Sequence, residues 1–454
     1  MTELAGFSGT VLTPDQDGYD EARRLWNAQH VRQPAVIAQV QSAEDVAVAI
    51  RYGVENGLEI AVRGGAHSVS GASSVDNGLM IDLSALNSVY VDAEARLARV
   101  GGGALLRDLD GATQEHGLAV PAGVISHTGV GGLTLGGGMG WLSRKYGLSI
   151  DNLESVQLVT ADGSILRAAE DENPDLFWGV RGGGGNFGVV TEFEFRLHEA
   201  GPMVQYGMQF WTVDQGADVL RLARELFPTL PADINIVIAA LNAPPAPFVP
   251  EALHFAPGYA FVTVGFGPPE QHAEVLERIR TALPPSFEFG TPMPYVALQQ
   301  SLDEPNDWGH HSYEKGSYLK ELSDGAIEVI TQEIAKKVSP MSATMIYRLD
   351  QAYSAVDDDA TAFGGERTDQ YALFIVGHTL APELLEAEKQ WVRSFWEALQ
   401  PHTAGIGSYV NGMTEAEDDR IKASYGSKYE RLQQIKAKYD PDNVFHRNQN
   451  ILPA

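Results

Sequence analysis

Three glycine-rich loops crowd into the first two hundred residues: 63–71 ("RGGAHSVSG"), 129–140 ("GVGGLTLGGGMG") and 182–188 ("GGGGNFG"). No other feature limits the fold as much. Glycine lacks a Cβ, so a loop built from it can adopt left-handed backbone angles and bring its N–H groups close to a partner. One tight turn accounts for one such cluster. Three on one stretch of chain call for a large anionic ligand gripped by main-chain donors. The 47 glycines among 454 residues exceed the usual ~7%, and the excess lies in these loops.

The segments between the loops read as alternating helices and strands. In "SAEDVAVAIRYGVENGLEIAVRGG", Ser42 caps a helix that has Glu44 and Asp45 in its first turn. Val46, Ala49, Ile50 and Val54 follow at helical spacing, Gly57 stops the helix, and a strand over 58–62 delivers Arg63-Gly64-Gly65. Short strands are expected between residues 78 and 103, and a helix over 105–116. An Asp162-Gly163 turn joins two further strands, and 189–197 alternates Phe193, Phe195 and Leu197 against Glu192, Glu194 and Arg196. Near residue 200 the glycine clusters end, prolines appear, and strands alternate with longer helical patterns. The last fifty residues read as a long helical run followed by "DPDNVFHRNQNILPA".

Composition narrows the function. The net charge of −28 opposes binding to nucleic acid or to an anionic membrane surface. The absence of cysteine excludes disulfides, thiolate metal sites, Fe–S clusters and cysteine nucleophiles; no metal is expected. No basic-then-apolar leader and no ~18-residue apolar run is visible, so a cytoplasmic protein is expected. A GxGxxG occurs at Gly183, Gly185 and Gly188, but a helical segment precedes it and a strand follows. That is the reverse of the dinucleotide-binding order, and a Rossmann site is rejected.

Four stretches carry a resemblance: "VRGGAHS" (62–68), "GVISHTGVGGLTLGGGMGWLSRKYG" (123–147), "DLFWGVRGGGGNFGVVTEFEF" (175–195) and "KYDPDNVFHRNQNI" (438–451). Together, and in this order, they resemble the berberine bridge enzyme-like oxidases of the vanillyl-alcohol oxidase and p-cresol methylhydroxylase (PCMH) superfamily. The resemblance implies an α+β fold: a PCMH-type FAD-binding domain of two α/β subdomains over 1–200, a substrate-binding domain over 201–405 with an antiparallel sheet covered by helices, and a C-terminal segment, 406–454, completing the FAD domain.

It also implies residue roles. His67 matches the histidine that bonds the flavin 8α-methyl carbon. The FAD-contacting set becomes Arg63, Gly64, Gly65, Ala66, Ser68, His127, Thr128, Gly131, Gly132, Gly136, Gly137, Gly188, Val190, Asn448 and Asn450, with Arg63 facing the pyrophosphate or stiffening its loop. The family's second link, from a cysteine to flavin C6, falls on Ile125 and cannot form, so a single covalent tether through His67 is expected. Thr128 falls where side-chain bulk governs oxygen access, which favours an oxidase.

FAD would accept hydride from a substrate carbon, and the protein must supply orientation and a base. Tyr409 and Asn411 match a tyrosine-x-asparagine stretch near the flavin. "HHSYEKGSYL" offers His310, His311, Tyr313 and Lys315; "MIYRLDQAYSAV" offers Tyr347, Arg348, Asp350 and Tyr353. A phenol of pKa ~10 needs a cation such as Lys315 or Arg348 beside it to act as base. The expected catalytic set is Tyr409, Tyr347, Tyr313 and Asn411. The expected activity is hydride removal from an alcohol, amine or activated C–H group of a small molecule, with O2 as acceptor and H2O2 as product. A dehydrogenase using another acceptor and a flavin carrier without turnover are the alternatives.

Overall fold

The computed structural model describes residues 4–415 and 417–454. Its α+β architecture rests on three main sheets. The first has four strands in the order Thr10–Leu12, Val36–Gln39, Leu79–Asp82, Ile60–Arg63. Its last three strands are parallel, and Arg63 lies in register with Asp82. The helix Ala43–Glu55 flanks it, and the Ser42 side chain accepts from the Asp45 N–H at 3.1 Å, the cap the sequence calls for.

The second sheet is antiparallel, in the order Val89–Asp92, Leu97–Gly101, Val189–Arg196, Leu153–Val159, Ile165–Ala169. Phe193 and Phe195 point into its core while Glu192 and Arg196 stay outside, as the alternation requires.

The third sheet has seven antiparallel strands: Phe287–Pro294, Met203–Thr212, Pro257–Gly265, Ile234–Asn242, Ala343–Leu349, Gln370–Thr379 and His311–Leu319. One face buries Ile236, Ile238, Phe261, Ile346, Leu373 and Ile375 beneath helices that contribute Leu220, Ile279, Ile330, Val392 and Phe395. The other face turns toward the glycine loops.

The C-terminal helical run is two helices, Asp418–Tyr425 and Tyr429–Tyr439. They part at Gly426, whose φ of +55° a helix does not tolerate. Leu432 and Ile435 return to the same core as Trp178 and Phe187. The following tail hangs on one fully buried ammonium: Lys436 Nζ donates to Asn186 O, Asp440 Oδ2 and Phe445 O at 2.8, 2.6 and 2.9 Å. A buried cation with these three partners is compensated rather than stranded. Asp440 in turn accepts from the N–H groups of Val444 and Phe445. The stretch Phe445–Gln449 is thereby led to the glycine loops.

Candidate active site

The three glycine clusters and the C-terminal tail line one cleft. Its walls include Gly64, Gly65, Ala66, His67 and Ser68 from the first loop, and Thr128, Gly131 and Gly132 from the second. Gly184, Gly185, Gly188 and Val190 come from the third, and Arg447, Asn448 and Gln449 from the tail. Some glycines serve each other rather than a ligand. A Cβ on Gly65 would run into the backbone N of Gly129, so the first two loops touch main chain to main chain. Gly132 differs: a Cβ there would meet no protein atom within 4 Å and would project into open space.

His67 sits where the first loop meets the sheet face. Its Nε2 lies 2.6 Å from His127 Nδ1, and the Trp26 ring stacks on it at 4.8 Å. Burial, with His127 beside it, holds the His67 imidazole well below the usual histidine range, so it is neutral at neutral pH. The residue before it, Ala66, has φ +58°, a left-handed conformation costing about 1–2 kcal/mol for a residue with a Cβ.

The cleft suits a flavin dinucleotide. Gly132 leaves a cradle that a side chain would fill, and the buried Ser73 Oγ and Asn448 Oδ1 have no protein partner. Among the described residues the one cation lining the cleft, Arg447, is already engaged by Glu59 and the Ser74 carbonyl, so a pyrophosphate would rest on backbone N–H and hydroxyl donors.

Several expected contacts fall elsewhere. Arg63 does not face the cleft; its guanidinium bonds the fully buried Asp82 at 3.1 Å and stiffens the loop from behind. Gly136 packs against the Asn411 amide and Gly137 against Phe363 and Tyr409, one layer behind the wall. Asn450 is not among the lining residues, and its Oδ1 is buried and unpartnered; Gln449 takes that place. His127 reaches the site through His67.

The catalytic candidates divide by strand alternation. Along His311–Leu319, odd-numbered side chains face the helices. Tyr313 lies in that helix-covered core and bonds Glu415 and Arg393 at 2.7 and 3.1 Å, so it is no part of the site. Lys315 follows it, with its ammonium over the Trp396 ring. Arg348 likewise points away, to Asp350 and Asp369. Tyr353 is core, bonded to the Glu366 carbonyl, and His310 packs on His378.

Tyr347, Tyr409 and Asn411 do converge. The Tyr409 oxygen accepts from the Gly138 N–H and from Asn411 Nδ2, both at 3.0 Å. Phe374 stands between the rings, 5.8 Å from Tyr347 and 6.0 Å from Tyr409. Burial pushes both phenols up, and the nearby Glu314 adds to the effect. Lys315 and Arg348 lie on the far side of the sheet, so the cation expected beside a phenol stands next to neither ring, although the Gly138 and Asn411 donors to the Tyr409 oxygen work against its burial.

Glu314 was not among the sequence candidates. It faces the cleft side of the sheet, and its Oε1 lies 3.6 Å from where a Cβ on Gly412 would stand, between cleft residues Asn411 and Met413. Burial alone pushes its carboxyl up to about 7. Among the described residues no ion pair or hydrogen bond to the carboxylate lowers it. The group is therefore poised for proton transfer near neutral pH.

Among the described residues no group of His, Asp and Glu is placed to hold a metal ion, and no helix is long and apolar enough to cross a membrane.

A family model described as an FAD binding domain matches residues 34–169, and one described as berberine and berberine like matches 408–452. The chain is 31% identical over 450 residues to an FAD-linked oxidoreductase of Dictyostelium discoideum, covering 98% of this chain and 95% of that one. It is 43% identical over 203 residues to the (R)-6-hydroxynicotine oxidase of Paenarthrobacter nicotinovorans, across 45% of this chain and 44% of that one. The crystal structure of 6-hydroxy-D-nicotine oxidase from Arthrobacter nicotinovorans superposes with a TM-score of 0.87 at 28% identity, covering 100% of this chain and 99% of that one. The fold and the cleft thus define a flavin-dependent oxidoreductase. The chain belongs to the berberine bridge enzyme-like FAD-linked oxidoreductases of the PCMH superfamily.

Proposed function

We propose that this protein removes hydride from a carbon bearing a heteroatom in a small organic substrate, with FAD tethered through His67 and Glu314 as the base. Bound FAD supplies the hydride acceptor; the chain supplies the rest. His67 Nε2 is engaged by His127, which leaves Nδ1 of the neutral ring free to bond the cofactor and gives the departing proton an acceptor. Without cysteine this is the only tether of the two the family uses. Glu314 takes the proton from the substrate heteroatom. Tyr409 and Asn411, locked to each other and to the second glycine loop, fix the floor on which the substrate rests. Thr128 lines the cleft, and its small side chain leaves room for oxygen, so O2 is the proposed acceptor and H2O2 the product. The three-part division at residues 200 and 405 follows the change from glycine-loop sheets to the seven-stranded sheet and then to the returning tail.

The observation that carries this reading is the placement of Glu314 on the sheet face opposite a glycine cleft that ends at His67. The test is a screen of alcohols, amines and sugars for bleaching of the flavin under nitrogen, followed by stopped-flow mixing of the reduced protein with air. A reducing substrate and rapid second-order reoxidation are expected. Bleaching followed by reoxidation no faster than that of non-oxidase flavoproteins would make the protein a dehydrogenase.

A further inference from the structure

Two contacts of different kinds hold the His67 side chain. The 2.6 Å approach of its Nε2 to His127 Nδ1 fixes one atom but not the plane of the ring. The His127 ring, tilted by 41°, does not fix the plane either. Trp26 does: its ring stacks on His67 at 4.8 Å with an interplanar angle of 18°. An imidazole nitrogen bonds carbon through a lone pair that lies in the ring plane, so its reactivity toward a fixed partner depends on that plane.

Trp26 is itself held from several sides. It is buried, its indole N–H donates to the Asn306 carbonyl at 2.6 Å, and its main-chain N–H donates to the Ala66 carbonyl at 3.1 Å. The second bond grips the left-handed residue next to His67, a conformation that persists only where its surroundings over-determine it. The next residue, Asn27, is fully buried and satisfies its whole amide. Its Nδ2 donates to the Val69 and Ser312 carbonyls, both at 2.8 Å, and its Oδ1 accepts from the Ser312 N–H at 3.0 Å. The Ala28 N–H donates to the His310 carbonyl at 2.9 Å. Residues 26–28 therefore grip the first glycine loop on both sides of His67, at Ala66 and Val69. They also grip the edge strand at Ser312, two residues before Glu314. The far end of the stack reaches the same place: Trp26 lies 6.0 Å from His378 at 19°, and His378 pairs with Ser312 across the strands.

We propose that Trp26 and Asn27 are positioning residues for attachment of the cofactor: the Trp26 ring sets the plane of the His67 imidazole so that Nδ1 faces the cleft, and Asn27 locks the loop that carries His67 to the strand that carries Glu314. The inference rests on the proposed tether through His67 and adds what aims it. The chemistry balances. The Nδ1 lone pair forms a bond to the flavin 8α carbon, and the imidazole proton on Nε2 passes to His127. The 8α C–H bond breaks, its proton leaves to water, and its electron pair enters the flavin ring system. O2, the acceptor already proposed, removes that pair with two protons as H2O2. Neither Trp26 nor Asn27 reacts; each acts by narrowing the orientations open to His67.

The test reads the mass of the denatured protein, as purified and during incubation of the holoprotein with FAD under air, with flavin absorbance and melting of the native protein recorded alongside. Trp26→Met keeps apolar bulk and removes the flat ring. It should bind flavin and melt as a folded protein, yet attach the cofactor about tenfold more slowly than the wild type, showing bare-chain mass beside that of chain plus FAD. Trp26→Leu takes its place if the Met variant does not melt cooperatively. Trp26→Phe restores a ring without the indole N–H and should return attachment to the wild-type rate. Asn27→Asp turns a donor facing two carbonyls into an acceptor, and Asn27→Leu keeps the shape without the polar atoms; each should lower the attached share. Wild-type attachment without an aromatic ring at position 26, or a loss in Trp26→Phe as large as in Trp26→Met, would overturn the role of the ring. Wild-type attachment in whichever Asn27 variant melts cooperatively would overturn the lock. Failure of the underlying tether looks different: the wild type itself would show only the bare-chain mass.

Discussion

The two walls of the site are made of different material. The cleft wall is main chain: glycine loops and a tail whose side chains mostly turn outward or touch one another. The sheet wall is side chain: Glu314, Tyr347, Phe374 and a run of half-buried apolar residues on alternate positions of long strands. A backbone wall suits a ligand that never changes, because N–H donors are the same whatever the sequence. A side-chain wall can be rewritten position by position without disturbing the strands, which is how one scaffold serves many substrates. Substitutions in the first wall should therefore weaken or abolish the hold on the cofactor, and substitutions in the second should alter the chemistry.

The largest effect should follow Gly65→Ala. Its new methyl group has backbone, not a movable side chain, in its way at Gly129, and we expect loss of both flavin and cooperative melting. Gly132→Ala sharpens the point, since its methyl group meets only open cleft. That variant should melt as a folded protein yet purify with a reduced ratio of flavin to protein absorbance.

Next comes Glu314→Gln, which keeps the shape and removes the base. Anaerobic flavin reduction should slow by about 10²–10⁴-fold. Burial raises the Glu314 carboxyl to about 7, so its proton-accepting form is lost as pH falls through that value. Wild-type reduction rates should climb with pH across neutrality, and the variant's profile should lose that step.

His67→Ala should leave the cleft intact and the cofactor bound but extractable by acid, with slower reduction. The smallest effect belongs to Tyr313→Phe. It removes a buried hydrogen bond to Glu415 on the helix side of the sheet, costing about 1 kcal/mol of stability and leaving the reduction rate unchanged. A large catalytic loss in that variant would place the site on the wrong face.

The two walls also differed in what the sequence revealed. Glycine clusters are visible as letters, and Phe193 and Phe195 alternate against charges, so the cleft and the sheet behind it were legible. The strand His311–Leu319 was not. It is an edge strand reading "HSYEKGSYL", with polar residues on both faces, so no apolar period says which face is inward. A one-residue change of register exchanges the two sets, and the reading fell on Tyr313 and Lys315 rather than on Glu314 between them. Tyr313 looks catalytic in sequence because nothing there reveals its partners, Arg393 and Glu415, eighty and about a hundred residues away. Family motifs located Arg63, Gly136, Gly137 and Asn450 in the right loops. Which atoms face the cofactor depended on contacts no motif encodes, such as the Arg63–Asp82 pair across two parallel strands.

One measurement reaches the root of this account: the mass of the denatured protein. The account predicts the mass of the chain plus one FAD, reverting to the bare chain in His67→Ala. A wild-type mass equal to the bare chain, with the yellow colour left in the supernatant after acid precipitation, would contradict it.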